Sequence, residues 1–171
     1  ISNPKRFARG EVCPHPVSGV DIIRTFHALV DLKPAVPLDG RDLTPLLEKP
    51  RRERWSDEPM LQTYTGNLYG NEAITTALRE AQRTGDWKKF IVYETVGTRA
   101  WLMLRVGQYK YVRYIYPDYI EELYDLTSDP DELKNLAVRK AHHARLAELR
   151  EQLVKAFAAK GASFVELLPP P

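Results

Sequence analysis

Apolar residues change their spacing twice along this chain. From Gly19 to Asp31 they recur every three or four positions, at Val20, Ile23, Phe26, His27 and Val30. That spacing predicts a helix over 19–31 with this stripe buried. Ser18-Gly19-Val20-Asp21 opens it as a capping box, with Asp in place of the usual Glu or Gln, and Lys33-Pro34 ends it. Asp39-Gly40 is a turn signal ahead of a short helical stretch over 42–47, and the highly charged 49–58 reads as a solvated connector. Residues 60–65 could form a strand. Residues 71–83 form a second helical pattern, with Asn71 as the expected N-cap and Gly85 as the stop.

Beyond Phe90 the period drops to two. Residues 90–96, 99–106, 109–116 and 121–126 are short, β-branched and aromatic, as strands are. The clearest pair places Ala100, Leu102, Leu104 and Val106 on one face and turns back through Gly107-Gln108, a two-residue loop whose leading glycine suits a II′ turn. These four runs predict a four-stranded antiparallel meander. Ser128-Asp129-Pro130-Asp131-Glu132 reads as a helix start capped by Asp129. A long helix from about 139 to 160 then follows, ended by Gly161, with Leu146, Leu149, Leu153 and Phe157 as its stripe and Glu151 set four residues before Lys155. Burying those four side chains is worth about 6–12 kcal/mol as an upper bound, enough to dock the helix on one face of the sheet.

Composition narrows the possibilities without naming a chemistry. The chain has 171 residues, 43% of them hydrophobic, which is enough for a core. With 25 Lys+Arg against 23 Asp+Glu, it lacks the basic excess of a nucleic-acid binder. Tyr109, Lys110, Tyr111, Arg113, Tyr114 and Tyr116 look like a base-stacking sheet, but alternation sends the tyrosines to both faces, so no nucleic-acid partner is expected. No run is as long as the apolar stretch a membrane helix needs, so no membrane partner is expected either. The single cysteine, Cys13, allows no internal disulfide and no Cys-based zinc site. His142 and His143 are helix neighbours that point about 100° apart and make a poor chelate. The sequence leaves the cellular compartment open.

Three blocks carry a resemblance. The first is His15-Pro16-Val17-Ser18-Gly19-Val20-Asp21-Ile22-Ile23-Arg24-Thr25. The second is Pro37-Leu38-Asp39-Gly40-Arg41-Asp42-Leu43 with Pro45-Leu46-Leu47. The third joins Leu104–Tyr114, Glu122-Leu123-Tyr124-Asp125-Leu126, Asp129-Pro130-Asp131-Glu132 and Asn135-Leu136-Ala137. In this order they resemble the C-terminal portion of the sulfatase family, within the alkaline phosphatase superfamily. Arg24 stands where that family often has proline and Asp42 where it has serine. Residues 48–98 match nothing in it, and 66–84 looks like an insertion.

The resemblance implies an α+β chain: a four-stranded antiparallel sheet with a packed C-terminal helix, preceded by a trailing piece of an α/β sulfatase domain. The expected division is 1–57 for the trailing segment and 58–171 for the C-terminal subdomain. It also implies a parent enzyme that cleaves sulfate esters or sulfamates through a formylglycine and Ca²⁺, acting on a sulfated small molecule or glycan. The partner expected for this chain is the upstream catalytic domain of the same protein.

The chain itself is expected to supply no catalytic residue, no metal ligand and no cofactor. Cys13-Pro14-His15-Pro16-Val17 fails the C/S-x-P-S-R pattern at every position after the first proline. Three residues are candidates for touching substrate: His15 in the proline-rich loop, and Glu94 and Arg99 at the junction of the first two strands. For each, a packing or rim salt-bridge role is the plainer alternative. Two rival readings stand: a phosphonate monoester or phosphodiester hydrolase of the same superfamily, and a stand-alone module that binds through its tyrosine-rich sheet.

Overall fold

The computed structural model describes all residues except 2, 4, 52–53 and 94–97. It divides into two compact units, Ile1–Met60 and Leu61–Pro171.

The first unit contains α1 (Gly19–Leu29) and α2 (Thr44–Glu48), with a 3₁₀ turn at Trp55–Asp57. Its organising contacts are polar. The Asp21 carboxylate is buried and accepts the Ser18 amide at 2.7 Å and the Arg41 amide at 2.7 Å. The buried Thr25 hydroxyl donates to the Asp21 carbonyl at 2.6 Å and accepts from the Leu43 amide at 2.9 Å. One side of α1 thus holds the 40–43 loop through two side chains, each satisfying a backbone donor that would be costly to bury unpaired. Gly40 completes the lock: a Cβ there would sit 2.3 Å from the Val20 carbonyl oxygen and 2.8 Å from the Asp21 Cα. Two of the three sequence blocks are therefore the two halves of one backbone-to-helix clasp.

The apolar stripe of α1 is not buried, contrary to its spacing. Val20, Ile23, Phe26 and Val30 are 51, 54, 52 and 71% exposed, while Asp21 and Thr25 are the residues the helix buries. Periodicity located the helix correctly and named the wrong face as the covered one, because the clasp engages the opposite side. Among the described hydrophobic residues of this unit only Phe7, Leu43 and Leu46 are buried.

The second unit is built on a sheet of order β1-β4-β5-β6, with β1 (Met60–Tyr64), β4 (Trp101–Val106), β5 (Tyr109–Tyr114) and β6 (Glu122–Asp125). The hairpin register runs from Trp101 opposite Tyr114 to Val106 opposite Tyr109, and β6 pairs antiparallel to β5 from Tyr109–Asp125 to Val112–Glu122. Gly107 has φ 53° and Gln108 is not left-handed, as a II′ turn requires.

The meander differs from the predicted one at its first strand. The run 99–106 breaks at the fully buried Ala100, whose amide donates to the Phe90 carbonyl and whose carbonyl accepts from Ile115, each at 2.7 Å. The break separates β3 (Thr98–Arg99), which pairs with β2 (Ile91–Tyr93) as a separate two-stranded ladder, from β4. β1 therefore takes the place beside β4.

One sheet face, with Leu102, Leu104, Tyr111 and Leu123, packs against α3 (Gly70–Thr84) through Ile74, Ala77, Leu78 and Ala81. It also packs against α4 (His143–Ala159) through Leu146, Leu149, Leu153 and Phe157. The segment that looked like an insertion is thus half of the core's helical layer. Its N-cap is Tyr69, and Asn71 instead donates its side-chain amide to the Gly161 carbonyl at 2.5 Å.

The loop after β6 turns without forming a helix. Asp129 accepts from the amides of Leu133 and Lys134 at 3.1 and 2.8 Å, but Glu132 is left-handed at φ 56°, which stops propagation. Asn135 is not a helix end either. Its side-chain Oδ1 accepts from the Leu123 amide at 3.0 Å and the Ala137 amide at 2.9 Å, and its side-chain Nδ2 donates to the Glu121 carbonyl at 2.8 Å. Leu136 donates to the Leu123 carbonyl at 2.8 Å, so the Asn135-Leu136 pair covers an edge strand that would otherwise expose a pairing template.

Candidate functional site

Arg99 leaves β3 and lays its guanidinium over two tyrosine rings, 4.7 Å from the centroid of Tyr116 and 5.5 Å from that of Tyr119. Tyr116 and Tyr119 flank the turn Pro117-Asp118, in which Asp118 is left-handed at φ 56°. Tyr119 also packs on Tyr114 with ring centroids 4.5 Å apart, and the Tyr114 hydroxyl donates to Glu122 at 2.5 Å. Trp87 stands 6.4 Å from Tyr116. The result is an ordered rim of aromatic faces and one guanidinium, held by cation–π and tilted ring contacts.

Of the three residues the sequence suggested, Arg99 is in this rim and Glu94 lies outside the described residues. His15 belongs to the first unit, half-buried in a loop whose Pro16 carbonyl accepts from the Arg41 guanidinium at 3.3 Å and the Trp55 indole at 3.2 Å. Sequence reasoning met Tyr116 only as part of an alternating tyrosine run and passed over Tyr119 and Trp87. The usable signal was the Tyr-Pro-Asp-Tyr run, where a proline turn sets two aromatic residues on one side.

A second polar cluster lies deeper. The buried Glu121 carboxylate accepts from the Tyr111 hydroxyl and from Arg150, whose Nε lies 3.1 and 3.0 Å from its two oxygens and whose Nη2 adds a third bond. Burial, then the hydrogen bond to Glu121 and its charge, push the Tyr111 hydroxyl well above the ordinary tyrosine range. The same carboxylate raises Arg150. A recess of about 270 Å³ beside this pair is walled by Ile120, Val138, His143 and Leu146. The cluster ties β5, the loop before β6 and α4 together, and every group in it is engaged by another.

No family model matches the chain, and no curated protein matches it. Solved structures do. A phosphonate monoester hydrolase of Agrobacterium radiobacter is 27% identical with a TM-score of 0.54, over 85% of this chain and 25% of its own. BT1596, a 2-O GAG sulfatase, is 23% identical with a TM-score of 0.56, over 84% and 25%. BT4656, solved in complex with its substrate D-glucosamine-2-N,6-O-disulfate, is 16% identical with a TM-score of 0.63, over 91% and 26%. The fold is that of the sulfatase C-terminal portion. The chain spans about a quarter of the length of each of these proteins.

A formylglycine and a divalent metal are the groups implied by a sulfatase fold, and the described residues fit neither. Among the described residues no three His, Cys, Asp or Glu side chains converge where a cation could be held. Cys13 is exposed in a Cys-Pro-His-Pro-Val setting without the arginine and serine of the nucleophile motif.

Proposed function

We propose that this chain is the C-terminal part of a sulfatase-like hydrolase whose complete form cleaves a sulfate ester or sulfamate of a small molecule or glycan. The formylglycine and Ca²⁺ of that reaction would be held by residues outside this chain. In this reading 1–57 is the trailing edge of the larger α/β domain and 58–171 the C-terminal subdomain. The chain completes the fold and lines part of the substrate entrance, with Arg99 as the residue proposed to meet substrate and His15 and Glu94 as further candidates.

The observation that carries the proposal is α1. A soluble unit does not gain by presenting four large apolar side chains in one stripe, each more than half exposed, while burying an aspartate and a threonine behind them. Such a face suits a partner, and an upstream catalytic domain is a partner consistent with a match over a quarter of those proteins' length. A sibling reading, phosphonate monoester hydrolysis, is favoured by the 27% identity to the Agrobacterium enzyme.

Turnover separates them. The full-length protein is expected to hydrolyse 4-nitrophenyl sulfate faster than a phenylphosphonate monoester, and the 171-residue chain to hydrolyse neither, with or without added Ca²⁺. Robust turnover by the chain alone contradicts the proposal, and a phosphonate preference in the full-length protein transfers it to the sibling.

A further inference from the structure

We propose that the recess between the loop before β6 and the start of α4 is a docking pocket for an acidic segment of a partner protein, which sets one apolar side chain into it. The inference goes beyond the hydrolase reading and does not depend on it.

The recess holds about 270 Å³. That is just below the roughly 300 Å³ at which pockets for drug-sized ligands begin, and it suits a single large side chain. Its apolar walls come from three separate segments: Ile120 ahead of β6, Ala137 and Val138 ahead of α4, and Leu146 on α4. Ala137 and Leu146 are buried, whereas Ile120 and Val138 are 65 and 63% exposed. Lone exposed aliphatic residues are ordinary on a protein surface. These two converge from different segments on one concavity, and an apolar side chain seated between them would take both out of water. The floor is firm, because Glu121 and Arg150 hold each other there as an ion pair.

Charge decides what kind of segment carries that side chain. From Leu133 to Ala147 no Asp or Glu occurs, while Lys134, Arg139, Lys140 and Arg145 do, with His142 and His143 among them. Arg139 and Lys140 are bracketed in the chain by Val138 and His143, which both line the recess. Arg145 is answered by Glu148. Arg139 and Lys140 are exposed and meet no carboxylate among the described residues. Glu121, the acid at the recess, is already neutralised by Arg150 and offsets none of this charge. Nor does the basic run serve α4, whose first turn contains no acid, since cations at that end oppose the helix field. A basic border around an apolar recess complements an apolar residue flanked by Asp or Glu, and repels the same residue flanked by Lys or Arg. The concave shape favours a protruding side chain over a flat lipid surface.

The test follows the fluorescence anisotropy of a dye-labelled peptide, Glu-Asp-Glu-Phe-Glu-Asp-Glu, titrated with the full-length protein at low salt. Saturable binding is expected. Replacing the peptide's phenylalanine with alanine should weaken it roughly tenfold, and replacing its acids with lysine should abolish it. On the protein, Val138→Ser should weaken binding roughly fivefold. Arg139→Glu/Lys140→Glu should weaken it roughly tenfold and flatten its salt dependence. All three positions are exposed, so the fold tolerates these changes. Absence of saturation up to about 0.5 mM protein overturns the proposal. An alanine peptide that binds as well as the phenylalanine one overturns the pocket, and a lysine peptide that does so overturns the charge claim. Binding unchanged in both protein variants places the peptide elsewhere and also overturns it. Sedimentation of the protein with phosphatidylserine vesicles, with the peptide left unbound, assigns the patch to a lipid surface instead.

Discussion

Replacing Gly40 with alanine is expected to destabilise the Ile1–Met60 unit by about 3 kcal/mol, at the upper end of what overpacking costs. The new Cβ would fall 2.3 Å from the Val20 carbonyl oxygen and 2.6 Å from its carbon, both backbone atoms of the first turn of α1. A flexible side chain could swing aside; helix backbone cannot do so without breaking the turn. If the loop moves instead, the Arg41 amide leaves Asp21 and the Leu43 amide leaves Thr25, so the buried carboxylate and hydroxyl each lose a partner. Either route opens the clasp. Urea unfolding followed at Trp55, which lies in the same unit and donates to Pro16 at 3.2 Å, reads the loss as a lower midpoint. A midpoint within error of wild type would mean that the 40–43 loop is not held against α1.

Substituting Arg150 with methionine is the second large effect, about 3 kcal/mol in the Leu61–Pro171 unit. Methionine keeps most of the packing volume of the arginine stem but removes three of the four hydrogen bonds to the Glu121 carboxylate, which stays buried with only the Tyr111 hydroxyl. Removing one partner of a buried ion pair costs far more than the pair's net worth, because the other charge is stranded. The estimate is set at the lower end of that range, since the Arg150 side chain is itself 35% exposed and water can reach the site. The control is the double variant Glu121→Gln/Arg150→Met. With no stranded charge it should recover more than half of the loss. Losses of the single variants Glu121→Gln and Arg150→Met that simply add in the double variant would show that Glu121 and Arg150 do not act as a pair.

These two positions also show what the sequence could and could not say. Gly40 was legible as a turn glycine, Asp21 as a capping residue and Thr25 only as part of a block. That the three belong to one clasp was not legible, because the contact joins residues about twenty apart through backbone amides that carry no sequence signal. Elements set by local rules came out close to their predicted bounds: α1, α3, the β4–β5 hairpin with its Gly107 turn, and α4 with its four-residue stripe. Elements that depend on competition between distant partners did not. β1, and not Ile91–Tyr93, stands in the main sheet because Ala100 breaks the following strand, and Asn135 proved to be an edge cover because only the folded sheet shows that β6 has an edge.

The candidate site divides the same way. Arg99 was visible as a charged residue at a strand junction. Its tyrosine partners were not, since a turn placed them there, and Glu121–Arg150 are joined across 29 positions with nothing in either neighbourhood to announce it. The α1 stripe is the most instructive case. Its spacing described a buried face, and the folded chain leaves that face open.

That point is also the one to measure. In a Cys13→Ser background, Phe26→Cys on the α1 stripe and Arg79→Cys on the exposed side of α3 are introduced into the full-length protein and reacted with a small thiol reagent. If the stripe is the docking face of a larger catalytic domain, the cysteine at position 26 should label at least about a hundredfold more slowly than the one at position 79, reacting only through local opening. Equal labelling rates at the two positions would show that the stripe is open in the complete protein, and would contradict the assignment of this chain as one part of a larger hydrolase.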